Sequence, residues 1–155
     1  MDSIVDAIKD CDSPIEQMFA LELLRLEETF PSVAWSKQDR FNIFGRKYRT
    51  DFVLQVYDAI FGDDGTPAYE WTTGLVVECD GMEYHSDIEQ IEHDNTRDID
   101  FLMEYGMSTI RFTGSQILKD SWGCAGRAMQ LVIELNAKKR DEFDSLLKAI
   151  CGREA

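Results

Sequence analysis

Leu75-Val76-Val77-Glu78-Cys79-Asp80-Gly81 decides how this chain folds. From Gly74 to Cys79 the run is almost continuously apolar, which marks a strand covered on both faces. It ends on acids. A carboxylate that punctuates a buried strand is costly unless it is paired or bound to a metal. The same arrangement occurs upstream, where Asp51 opens the apolar run Phe52-Val53-Leu54. Two such strands side by side would bring Asp51 and Glu78 to one sheet end, the outline of a site for a hard divalent cation.

Ser13-Pro14-Ile15-Glu16 reads as a helix start, with Ser as N-cap, Pro at the first helical position and Glu three residues after the cap. Apolar residues then recur at helical spacing, predicting an amphipathic helix over 13–30 that Pro31 ends. Short strands are expected at Val33–Trp35 and Phe41–Phe44, a turn at Gly45-Arg46 and a long strand over Lys47–Asp58. Gly62-Asp63-Asp64-Gly65-Thr66-Pro67 is a loop. A second helix is expected over 87–105, with Ile88, Ile91, Ile99, Leu102 and Met103 facing inward and Gly106 as its C-cap. A strand at Ser108–Phe112 and helices near 114–120, 122–137 and 139–151 complete the chain. The order implies an α/β fold, a mixed central β-sheet flanked by helices, in one domain spanning 1–155.

With 155 residues, 44% of them hydrophobic and 30% charged, the composition is that of an ordinary globular domain. No apolar run approaches the ~20 residues of a membrane span, so no membrane partner is expected. Met1-Asp2-Ser3-Ile4 lacks the basic start of a signal peptide, and the expected location is the cytoplasm. Cys11, Cys79, Cys124 and Cys151 are widely spaced, which argues for reduced thiols rather than zinc or a disulfide framework.

The net charge of −14 repels a phosphate backbone at long range. It is unevenly placed. Arg40, Arg46, Lys47 and Arg49 fall within ten residues that hold no acid, whereas residues 78–104 carry ten acids and one base, Arg97. A basic hairpin beside an acidic, metal-filled pocket is compatible with DNA, and the overall balance points to a protein partner or a homo-oligomer.

Tyr48–Leu54 with Asp51, the block Val77-Glu78-Cys79-Asp80-Gly81-x-x-x-His85 and the block Asp94-x-x-Arg97-Asp98-x-x-x-Leu102-x-x-x-Gly106-x-x-x-Ile110-Arg111-Phe112 together resemble the restriction-endonuclease-like PD-(D/E)XK superfamily. The similarity is to the branch of very-short-patch repair endonucleases and related small nucleases, and it covers roughly 13–118. It implies a restriction-endonuclease-like core in which Glu16, Asp51 and Glu78 surround catalytic Mg2+ or Mn2+, with the Cys79 carbonyl as a further ligand. The chain departs from the pattern at Asp80, where the motif has a lysine. Related small nucleases pair that substitution with a downstream histidine, a place His85 fits.

The residue types suit the chemistry. A bound metal polarises a phosphate and lowers the pKa of a water, and a nearby imidazole can take the water's proton. Asp94 would orient His85, and Arg97 would hold a phosphate oxygen. Arg46, Lys47 and Arg49 are the other expected nucleic-acid contacts. Each residue also has a plainer role: Glu16 as a capping box, Asp80 as a turn residue, Arg97 as a partner of Asp94 or Asp100, the basic cluster as a solvated hairpin, and His85 as a surface residue. The leading expectation is a metal-dependent endonuclease acting on DNA, of the kind found in defence, repair or mobile-element systems. The alternatives are a non-catalytic module on the same fold and an acidic protein-interaction domain.

Overall fold

The computed structural model describes residues 3–81 and 88–151. His85, and the junction from β5 into α3, lie outside the described residues. The elements run α1 (Ile4–Ile8), α2 (Pro14–Leu26), β1 (Val33–Lys37), β2 (Arg40–Ile43), β3 (Arg46–Arg49), β4 (Phe52–Phe61), β5 (Pro67–Asp80), α3 (Ile88–Tyr105), β6 (Ser108–Thr113) and α4 (Gly114–Cys151). A four-stranded sheet has the order β1-β4-β5-β6. Its first two pairings are antiparallel, and β5 with β6 is parallel, the pairing that needs a crossover. The α/β class with a mixed central sheet and flanking helices is as expected.

Side chains alternate across the sheet as the strand period requires. Phe52, Leu54, Val56, Leu75, Val77 and Cys79 pack with α2 and α4 in the larger core. On the opposite face Val53 and Val76 join Ile43, Tyr48, Phe101 and Met107 in a smaller one. The second face is thin in apolar material, and this decides how α3 sits.

The expected inward face of α3 is turned outward. Ile88, Ile91, Ile99, Leu102 and Met103 are 43–74% exposed, whereas Asp94, Asp100 and Phe101 are buried. The physical reason is the charge planted beneath the helix. Arg97 meets Glu78, Asp98 forms a bidentate pair with Arg111 at 2.7 Å, and Asp100 forms one with Arg46 at 2.8 Å. Buried charges need partners more than the helix needs apolar cover.

The expected strand over Lys47–Asp58 is also divided. Gln38 takes φ +55, and the ladder between β1 and β4 gives way to a separate β2–β3 hairpin held by Gln38 N–H to Asp51 O and Thr50 N–H to Asp39 O, both at 3.0 Å. The hairpin turns at Phe44-Gly45, both with positive φ, as a two-residue loop demands; the turn is one residue earlier than the sequence suggested. Gly106, at φ +65, ends α3 as expected. In α4 the break expected near residue 138 is absent and the helix continues, while Asp120 leaves the helical region and caps the next turn through Gly123 N–H.

Candidate functional site

The strand register brings the acids together. Phe52 pairs with Val77, and continuing that antiparallel register by one residue sets Asp51 across from Glu78. Asp51 stands at the corner where the hairpin departs, and its Oδ2 accepts the Cys79 backbone N–H at 2.7 Å. Asp51 and Glu78 therefore sit at the same end of the sheet, Glu78 6% exposed and on the face covered by α3.

Burial dominates the electrostatics. Asp51 is pushed up to about 6, desolvation outweighing the Cys79 N–H bond, with the Glu16 charge raising it further. Glu78 is pushed up to about 8, again by desolvation, which the Arg97 guanidinium only partly offsets. Asp80 is raised for the same reason, and burial holds the Cys79 thiol far above its usual range. Carboxyl groups so poorly solvated are poised to gain from a cation.

Arg97 lies over this cluster from α3. Its Nη1 is 3.4 Å from Glu78 Oε2, with Asp94 at 3.9 Å and Asp98 at 4.0 Å, and its side chain is only 12% exposed. The other Glu78 oxygen, Oε1, is buried with no hydrogen-bond partner among the described residues. Such an atom is costly in a closed interior. Arg97 Nε and Arg111 Nε beside it are likewise buried with no hydrogen-bond partner among the described residues.

Glu16 approaches the same end from α2. Its carboxylate accepts from Ser13 Oγ at 2.7 Å, from the Asp12 N–H at 2.9 Å and from Gln38 Nε2 at 2.9 Å. The capping role is thus present, displaced by one residue from the usual box. Gln38 is a residue the sequence reading did not single out; its left-handed backbone delivers the amide to Glu16. Arg111 is likewise a site neighbour, placed opposite Glu78 by the β5–β6 register, a pairing that the motif spacing alone does not reveal. Asp94 accepts from Gln90 at 3.0 Å and lies 3.6 Å from His93; a contact with His85 lies outside the described residues.

The basic hairpin continues from the β1–β4 ribbon just beyond Asp51. Arg40, Asn42, Lys47 and Arg49 line a cleft of about 520 Å³ with Phe41 and Tyr48. Arg46 points elsewhere, into its bidentate pair with Asp100, which also accepts the Tyr48 hydroxyl at 2.7 Å. Those bonds hold Asp100 down at about 2. Arg49 pairs with Asp12.

Among the described residues no group of three histidine, cysteine, aspartate or glutamate side chains is gathered as a ready metal cage. Two carboxylates and a backbone carbonyl would suit magnesium, which keeps several waters and takes few protein ligands. Comparison with known proteins found no matching family model, curated protein or solved structure.

Proposed function

We propose that the chain is a metal-dependent endonuclease that hydrolyses phosphodiester bonds in DNA, with a restriction-endonuclease-like core. The observation that carries this reading is the buried Glu78 oxygen, without a hydrogen-bond partner among the described residues, near Asp51 at a sheet end flanked by a basic cleft. Asp51, Glu78 and the Cys79 carbonyl would hold Mg2+ or Mn2+. When bound, the cation supplies charge to the phosphate and acidity to a water. Glu16 braces the Asp51 corner through Gln38, and Arg40, Lys47 and Arg49 receive the phosphate backbone. His85 is the proposed proton acceptor, in place of the lysine that Asp80 replaces. Incubating plasmid DNA with the chain and magnesium or manganese, beside Asp51→Ala, tests it. Metal-dependent nicking that Asp51→Ala abolishes supports the reading.

A second reading has its own observation. Arg97 stands 3.4 Å from Glu78, so a guanidinium already supplies positive charge at the carboxylate. On that reading the fold binds without cutting. DNA retention with no cleavage in either metal would favour it.

A further inference from the structure

We propose that the outer face of α3, together with Phe44 at the hairpin tip, is a docking surface for a basic amphipathic helix of a partner protein. The surface is independent of whether the chain cleaves DNA. Ile88 with Ile91, and Ile99 with Leu102 and Met103, form two apolar clusters on one side of the helix with Glu92 and Asn95 between them, and all five are exposed. From Ile88 to Met103 the two clusters span about 22 Å at the α-helical rise. That is the length over which a partner helix engages through successive anchors. Two exposed apolar clusters on one helix side mark an interaction surface far more often than scattered single residues do.

The neighbouring hairpin adds shape. Phe44 is 55% exposed and holds φ +49, a conformation a bulky residue adopts only at a cost. Phe44, Ile99 and Met103 line a notch of about 400 Å³ with Thr96 and the paired Arg46 and Asp100, whose charges offset each other. One apolar anchor from a partner fills such a notch.

Charge selects the partner. Glu89, Glu92 and Glu104 are exposed on α3, and the one arginine or lysine of the helix, Arg97, is turned inward. Glu89 and Glu92 border the apolar side while Glu104 lies on the far side of the helix, so two copies pressed face to face would bring four of these acids together with no base from either helix. Like charges across an interface oppose association, whereas lysines or arginines beside an apolar stripe would complement it. The occupant is therefore basic, apolar on one side, and not a second copy.

The test uses the whole chain and a fluorescently labelled 18-residue peptide of leucine and lysine patterned as one amphipathic helix, with a glutamate-for-lysine twin. Anisotropy is expected to show binding of the basic peptide and none of its acidic twin. The pair Ile99→Asp/Leu102→Asp should weaken binding at least tenfold with an unchanged circular-dichroism melt. Both replacements add negative charge, so attraction by charge alone would tighten binding instead. The pair Ile88→Asp/Ile91→Asp repeats the test at the other cluster and serves if the first pair melts early. No binding to the wild-type chain, equal binding by the acidic twin, or undiminished binding by folded variants overturns the proposal. So does a wild-type dimer in sedimentation that Ile99→Asp/Leu102→Asp dissolves, since the occupant would then be a second copy.

Discussion

Arg97 holds its guanidinium 3.4 Å from the Glu78 carboxylate, and the two side chains are only 12% and 8% exposed. Once ionised, Glu78 has little water to fall back on and Arg97 is its main compensating cation, while Arg97 also has Asp94 and Asp98 nearby. Removing the arginine leaves a buried carboxyl with its main compensating cation gone. Arg97→Gln should raise the Glu78 midpoint above about 8, read by carboxyl carbon NMR. Breaking a buried pair in this way costs about 3 kcal/mol, and the loss should be largest above that midpoint, where Glu78 is forced to ionise.

The pH dependence of stability has a defined sign. The Glu78 carboxyl titrates at its ordinary value of 4.5 when unfolded and at about 8 when folded. Between those values the native state binds the extra proton, so stability falls as pH rises. Asp51 acts in the same sense between 3.8 and about 6. The melting temperature of metal-free wild type should therefore drop from pH 5 to pH 8 more steeply than that of Glu78→Gln. Parallel curves would show that Glu78 is not the group responsible.

Metal binding should oppose that slope. Deprotonated carboxylates are the ligands, so magnesium or manganese should raise the melting temperature more at pH 8 than at pH 6, and binding should release protons. Asp51→Ala and Glu78→Gln should each reduce the shift. Calorimetry in buffers of different ionisation enthalpy measures the protons directly.

On cleavage, Asp51→Ala and Glu78→Ala should abolish product, since each removes a proposed metal ligand. His85→Ala should leave metal-induced stabilisation intact and slow turnover by ~10²–10⁴-fold, the usual worth of a positioned acid–base group. An unchanged rate would remove His85 from the mechanism. Asp80→Lys restores the motif's ammonium, and retention of activity in Asp80→Lys/His85→Ala would show the two groups to be interchangeable.

The hairpin carries two kinds of basic residue. Charge reversal at Arg40 and Lys47 should weaken DNA binding and flatten its salt dependence while leaving the melt unchanged, because both face the cleft. Arg46→Ala should instead lower the melting temperature, since it strips the bidentate partner from buried Asp100. Equal loss of stability in all three variants would remove the distinction.

Local signals in the chain were enough to place Asp51 before one apolar strand and Glu78 near the end of another, the Ser13–Glu16 helix start, the Gly106 stop and the mixed α/β class, though not the start of β5, which begins at Pro67 rather than Gly74. Those signals are an acid bordering an apolar run, a cap and its glutamate, a glycine at a left-handed position. Tertiary structure decided which way α3 faces. The apolar spacing of Ile88, Ile91, Ile99, Leu102 and Met103 predicts an inner face, yet the surface below offers Glu78, Arg111 and Arg46, and unpaired buried charge costs more than exposed isoleucine. It also decided the division of the 47–58 strand, because Gln38, thirteen residues upstream of Asp51, breaks the ladder from the opposite strand. The role of Arg46 was hidden for the same reason. Its partner, Asp100, is 54 residues away, and only the packing of α3 on the hairpin brings the two together.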